Sequence, residues 1–520
     1  MLNKILGKHS VFYISIFLTV TFIVWGGVFT KNFTKVTTLI YNLIINKLGW
    51  VYMDITFFLV AFSVYLLFSK YGNIRIGKEN EKPEFKTGSW LAMLFGAGMG
   101  VGIIYWGVAE PVTHYVNPPH GEGYTAESAN MAMKYSFFHW GLQPWAIYAV
   151  ISLALAYFQV KKGLPATISS LFYPILKDRI NGPIGKTIDI FSVVATVFGI
   201  ATSLGLGALQ ISAGFHILLH VPNTVSLQLS VIGVGTVLCI FSISTGLEKG
   251  IQYLSNAAIL LSFMIMLLVL LLGPTFEIFK IFSNSVGSYL NDYINMSLQL
   301  APFSDSKWIG NWTLFYWAWW IAWCPFVGMF IARISKGRTI REFIIGVLIV
   351  PTIGTCAWFS IFGGSALHII KNLGHHELAK QITSNIDLSI FNFFDYLPAS
   401  YLLSFIGFIV VIIYYITVAD TSTFVLGMIS ERGKLNPSTK IKITWGLIQS
   451  IAAAVLLLIG GLNILQTASL IAAFPLALIL IFVCWSLLKE LKNEFAEIRS
   501  DEEYKDNLKL DNRKEKRVSL

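Results

Sequence analysis

The chain has 520 residues, of which 55% are hydrophobic and only 13% charged, with a formal net charge of +10. A soluble chain carries about 25% charged residues, so this one cannot cover a water-facing surface, and disorder, collagen and coiled coil fall on the same figures. Four cysteines, Cys239, Cys324, Cys356 and Cys484, stand singly in apolar runs without CxxC spacing, which indicates neither a disulfide framework nor a metal knuckle.

A bilayer core of about 30 Å takes about 20 apolar residues as helix. Twelve such runs are predicted, near 11–30, 51–69, 88–109, 136–158, 188–215, 225–245, 251–273, 312–333, 341–364, 398–427, 441–460 and 464–488. Residues 1–10 hold no cleavable signal peptide, and the first run is long enough to span. In 276–298, Phe276, Ile278, Phe279, Ile281 and Phe282 alternate with Glu277, Lys280 and Asn284, the pattern of an amphipathic helix in the interface. The stretch 489–520 carries nine basic and nine acidic residues and reads as a solvated helix or a disordered tail. The expected organisation is one membrane domain, 1–488, and a cytoplasmic tail, 489–520.

Lysine and arginine mark the cytoplasmic side of a membrane protein. With the N-terminus inside, 30 of the 38 basic residues fall in inside segments. Both termini are therefore expected in the cytoplasm of a multi-pass plasma-membrane protein. The positive charge reports topology, not a nucleic-acid surface.

Two spans look broken. The GAGMGVG run at 96–102 places four glycines in seven residues, each costing roughly 1 kcal/mol of helix stability relative to alanine. Pro325, in the WCPFVG run at 323–328, removes a backbone donor in mid-span. The first feature alone also fits close packing of small residues, and the second an ordinary kink. Their spacing suggests two sets of five spans, 3–7 and 8–12, with the first two spans outside. Discontinuous helices in equivalent repeats are where secondary transporters meet substrate and ions.

Five tryptophans fall in twelve positions at 312–323. An interfacial belt explains Trp312. It explains Trp320 and Trp323 poorly, since they lie deeper, beside Pro325. Tyr316, Trp320 and Trp323 share one helix face. Span four adds Trp140, Trp145 and Tyr148. Such rings suit a quaternary ammonium, which has no N–H to donate but is drawn to the negative ring faces, about 2 kcal/mol each when desolvated. No acid occurs between Gly96 and Ala109 or in 312–328. That favours a zwitterion, its carboxylate meeting helix-end N–H groups.

The stretch 311–343, with 93–111, 137–148 and 198–211, resembles the betaine/carnitine/choline transporter (BCCT) family, and the likeness runs from about residue 10 to 488. It implies an all-α membrane protein of twelve helices in a LeuT-like 5+5 inverted repeat, a homotrimer with 276–298 as contact, and alternating access. By motif match, Trp140, Trp145, Tyr148 and Trp320 form the box around a trimethylammonium, with Trp319 beside them and Trp323 on a second face. Met99, Gly98, Gly100 and Gly102 form an unwound segment facing substrate, in a pattern similar to glycine betaine members. A sodium ion is the expected coupling ion and no cofactor or metal is implied. Its candidate ligands are Gly96, Met99 and Thr417, with Val418 where relatives often carry serine, and Thr196 beside Phe326, with Ile200 in place of a hydroxyl. The positive or methionine substitutes of sodium-independent exchangers are missing at Ala258 and Val327. The charge-balanced tail implies transport without strong osmotic activation.

Asp420, within span ten, has three readings: a local bond to Thr417, Thr421 or Thr423, a proton-coupling role, or a gating network. His114, His120, His375 and His376 are expected in solvated external loops. The leading expectation is a sodium-driven importer of glycine betaine or a related trimethylammonium solute. A choline or carnitine carrier, proton-coupled or exchanging, is the alternative. A channel would want weak multi-site binding instead of a closed cage. An enzyme would need a nucleophile–base pair, metal cluster or cofactor motif, none of which the sequence offers.

Overall fold

A chain inside a bilayer has no water to satisfy its backbone, so each apolar run must close its hydrogen bonds within itself. The computed structural model describes residues 9–78, 81–98, 100–246, 248–300 and 307–518, with side chains described throughout except at 97, 98, 248, 249, 251, 498, 499 and 501–518. Among these residues the fold is all helix. The one extended contact is a bridge between Arg75 and Thr339.

Helix α1 is Ser10–Val28, α2 Thr30–Leu43 and α3 Gly49–Phe68. A broken pair follows, α4 Thr87–Gly98 and α5 Val101–Val116. Next come α6 Ala126–Trp140, α7 Leu142–Ala156, α8 Pro183–Leu219, α9 Val225–Thr245, α10 Glu248–Leu272 and α11 Thr275–Leu298. The second half holds α12 Phe315–Ile334, α13 Ile340–Lys371 with π-turns inside it, α14 Ser400–Ser430 and α15 Thr439–Val518. Among the described residues ten helices are long and apolar enough to cross a membrane, or up to eleven if the bent pair is one span. Twelve runs were expected. The last two fall in α15, whose helical geometry fails at Gly460 and Gly461, the latter at φ 57°.

The glycine-rich run behaves as its composition predicts. Thr87–Gly96 and Val101–Val116 meet at 65°, and Gly100 between them is extended. Met99 lies outside the described residues. The Pro325 expectation is corrected: α12 runs through the proline without a break. Packing against α7, α8 and α15 holds it, and a membrane helix tolerates proline where neighbours compensate.

Burial separates inner from outer helices. The apolar windows of Ala126–Lys161, Pro183–Leu219 and Lys307–Ile334 are 94%, 89% and 83% buried, against 22% for Gln252–Leu272 and 33% for Ser10–Val28. Helices apolar all round can only be core or bilayer-facing. The inner set brings α5, α6, α7, α8 and α12 together, and these carry the candidate residues.

Helix α11 does more than lie along a surface. Its Asp292 pairs with Lys134 of α6 at 2.5 Å, and the ammonium holds that carboxyl below its usual range. Tyr289 fills the break between α6 and α7. A Cβ at Gly141 would stand 2.5 Å from the Phe137 carbonyl and 2.9 Å from the Tyr289 hydroxyl. That hydroxyl accepts the Leu142 N–H at 3.0 Å and donates to Gln143 at 3.2 Å. The start of α15's final stretch is docked rather than solvated: Glu494 is buried, pairing with Lys161 and accepting the Tyr157 hydroxyl.

An unsatisfied buried N–H costs about 1–3 kcal/mol. Tyr289→Phe should therefore lower stability by about 1–2 kcal/mol, read as a lower midpoint in thermal unfolding of the purified protein. An unchanged midpoint would show that Tyr289 does not cap α7.

Candidate functional site

The inner helices surround a cavity of about 1180 Å³. Its wall takes Gly100, Val101, Gly102 and Ile103 from the start of α5, and Trp140, Trp145 and Tyr148 from α6 and α7. From α12 it takes Trp319, Trp320, Trp323 and Phe326. The rings expected to converge do so. Trp140 stands edge-on to Trp320 at 4.8 Å between centroids, Tyr148 edge-on to Trp320 at 6.2 Å, and Trp145 edge-on to Tyr148 at 5.7 Å. Trp319 stacks on Trp320 at 4.8 Å, and Trp323 meets Phe326 at 5.0 Å.

Four of the five indoles on this wall are tied at the nitrogen. Trp140 donates to Glu110 at 2.8 Å, Trp319 to Ser203 at 3.2 Å, Trp320 to the His139 carbonyl at 3.0 Å and Trp323 to the Gly199 carbonyl at 2.9 Å. The donors are thereby satisfied within the protein, and the rings themselves form the cavity wall. Gly102 makes the close approach possible, because a Cβ there would lie 2.5 Å from the Trp319 ring and 3.4 Å from the Trp140 ring. Gly100 has nothing within 4 Å of its would-be Cβ, so its backbone faces the cavity.

The remaining expected residues divide. Gly96, Thr417 and Asp420 line the cavity, as does Val418. Thr196 is buried off that wall, its hydroxyl donating to the Ser192 carbonyl at 2.7 Å. Thr417, Thr421 and Thr423 each donate to a backbone carbonyl, Thr423 to that of Asp420 itself. Tyr316 shares the face of Trp320 but sits behind the box. Gly98 ends α4.

From the rings the cavity runs to one face of the molecule, between segments 163–166, 333–336 and 432–435. Arg333, Lys336, Arg432, Lys434 and Lys442 stand on its wall against Glu84 and Asp420.

Sequence reasoning missed Glu110, one residue beyond the window searched for an acid. It is wholly buried, as are His114 and His139. His114, expected in an external loop, belongs to α5, packed against the Trp308 and Trp312 rings. His120, His375 and His376 are exposed, as expected. The Glu110 carboxylate faces Trp140 and Tyr316 on Oε2, and His139 and His114 on Oε1 at 2.7 and 3.3 Å. An ionised carboxylate is acceptor-only, and an indole N–H is donor-only, so this set suits a carboxylate. Ligand atoms of Glu110, His114 and His139 lie within 4.8 Å of one another, spacing that could also take a metal ion. The hydrogen bonds already occupy both carboxylate oxygens. The available signal was a charge inside a span, which is costly unless partnered.

Residues 10–496 match the betaine/carnitine/choline family of transporters. The chain is 46% identical to the glycine betaine transporter OpuD of Bacillus subtilis over 95% of this chain and 97% of the relative. It is 39% identical to a probable glycine betaine transporter of Desulfitobacterium hafniense, over 94% and 98%. It is 38% identical to an ectoine/hydroxyectoine transporter of Virgibacillus pantothenticus, over 96% and 100%. The chain belongs to the betaine/carnitine/choline transporter family, and is a membrane transporter rather than an enzyme.

Gly102→Ala must push the Trp319 indole aside, which should cost about 1–3 kcal/mol of stability. Gly100→Ala should stay within about 0.5 kcal/mol. Equal unfolding midpoints for the two variants would contradict the close approach at Gly102.

Proposed function

We propose that this family member imports glycine betaine, or a related trimethylammonium compatible solute, by alternating access coupled to sodium. The convergence of Trp140, Trp145, Tyr148 and Trp320 on one cavity carries the reading. Ring faces bind a methylated nitrogen that offers no hydrogen. The first turn of α5 opens on the same cavity, and its N–H groups with the positive end of the helix dipole suit the carboxylate of a zwitterion. Relatives named as glycine betaine transporters agree with this.

The wider architecture is part of the proposal. Divided at Gly460–Gly461, α15 supplies two spans, giving twelve in a 5+5 inverted repeat behind two N-terminal spans. The cavity opens on the face carrying the basic loops, which the charge rule puts in the cytoplasm, so this conformation is the one that releases substrate inward. Both termini then lie inside the cell, with 1–488 as the transport domain and 489–520 as a tail that begins docked. Phe276, Phe279, Leu290 and Ile294 leave α11 an exposed apolar face, a suitable contact for a homotrimer. For sodium, Gly96 and Thr417 offer oxygens at the cavity wall and Phe326 lines it, with Met99 as the remaining candidate by motif match. Thr196 lies behind that wall.

A choline or carnitine carrier, proton-coupled or exchanging, is the second reading. Glu110, an acid directly behind Trp140, is the observation in its favour.

In proteoliposomes, labelled glycine betaine uptake should rise with an inward sodium gradient. Equal uptake in sodium-free, choline-free buffer would remove sodium from the mechanism. Trp320→Leu loses a ring face worth about 2 kcal/mol, so affinity should fall roughly thirtyfold. In competition, betaine should displace label better than choline, carnitine or proline, and a choline optimum would favour the second reading.

A further inference from the structure

We infer that Glu110 is a positioning residue of the aromatic box, setting the tilt of the Trp140 wall, and with it the face offered to substrate, from outside the cavity. The inference rests on the box being the substrate site. Glu110 lies about two turns beyond Gly102 along α5, wholly buried and off the cavity wall. Its Oε2 accepts the Trp140 indole N–H at 2.8 Å and the Tyr316 hydroxyl at 2.5 Å. Those two rings flank Trp320. Trp140 is edge-on to it at 4.8 Å, and Tyr316 lies nearly parallel to it at 6.1 Å. One carboxylate oxygen therefore tethers the neighbours of Trp320 on both sides.

The other oxygen ties the same carboxylate to the scaffold. Oε1 faces His139 Nδ1 at 2.7 Å and His114 Nε2 at 3.3 Å. His139 Nε2 lies 2.9 Å from the Thr313 hydroxyl, on the turn leading into α12. The His139 carbonyl accepts the Trp320 N–H at 3.0 Å. Helices α5, α6 and α12 thus meet at one acid, and two of the five cavity indoles, Trp140 and Trp320, take their positions from it or from its histidine partner. Orientation matters because an aromatic ring attracts a cation with its face and repels it with its edge. A Trp140 indole released from Glu110 can turn about its side-chain bonds and show the cavity an edge. Such a change weakens ground-state binding and leaves turnover alone, so it belongs in KM.

The test uses full-length protein, wild type, Glu110→Gln, Trp140→Phe and the double variant, with glycine betaine as probe. Losing a charge-assisted hydrogen bond should raise KM about tenfold or more in Glu110→Gln, with maximal rate within about twofold. In the Trp140→Phe background there is no indole N–H to hold, and Glu110→Gln should shift KM less than about twofold. Additive effects, or an unchanged KM in Glu110→Gln, would overturn the inference. A second readout needs no substrate: the near-ultraviolet circular dichroism of the ligand-free protein. The component lost in Trp140→Phe should also be altered in Glu110→Gln, and a wild-type spectrum there would overturn the inference. Wild type that neither binds nor transports betaine would sink the proposed function and leave the role of Glu110 to the spectrum. If Glu110→Gln is not recovered folded, Tyr316→Phe takes its place, with the same non-additivity expected against Trp140→Phe and additivity counting against the inference.

Discussion

Four indoles of the cavity wall, Trp140, Trp319, Trp320 and Trp323, are pinned at their only donor, and the site depends on that constraint. An indole N–H buried without a partner is costly, so each nitrogen is turned toward an acceptor on a neighbouring helix. Trp140 reaches Glu110 on α5, Trp319 reaches Ser203 on α8, Trp320 reaches a carbonyl of α6, and Trp323 reaches a carbonyl of α8. The partners come from three helices, while Trp319, Trp320 and Trp323 share α12. Polar satisfaction of the rings is thus also what fixes the relative positions of α5, α6, α8 and α12. The four indoles therefore present carbon rather than donors to the cavity.

The same helices could not come so close without small residues in the right places. Gly102 admits the Trp319 ring, and Gly141 lets the chain turn beneath Trp140 with Tyr289 filling the gap. Between helices in a bilayer the drive to associate is packing and hydrogen bonding, since lipid is as apolar as leucine. Broken backbone is tolerated only where protein or water meets it. Here the α4–α5 break faces the cavity, and the α6–α7 break is met by a tyrosine hydroxyl.

Much of this was legible in the sequence. Apolar runs of the right length gave helices close to their expected bounds, as at Val225–Thr245. The glycine cluster gave a break, and the tryptophan runs gave rings that converge. Where reading failed, a tertiary partner decided the outcome. Pro325 predicted a discontinuity, but its helix is enclosed on several sides and stays whole. His114 was placed in a loop because it lies beyond the 88–109 run, yet the helix continues about two turns further, to Val116, and buries it. Glu110 escaped because a single acid near the end of an apolar run looks like a boundary. Only the folded structure shows an indole N–H, a tyrosine hydroxyl and two histidine nitrogens arranged around it. Thr196 matches a family position, and its hydroxyl donates to the Ser192 carbonyl of its own helix, which leaves the oxygen's lone pairs as acceptors.

The unbroken course of α12 has a mechanical consequence. Trp319, Trp320, Trp323 and Phe326 ride on one rod, so they travel as a rigid body and cannot open like separate doors. The chain changes direction instead between Thr87–Gly96 and Val101–Val116, which meet at a steep angle. A displacement of α12 would therefore carry all four rings together, and none of them could leave the wall alone without a change in its own side-chain torsions.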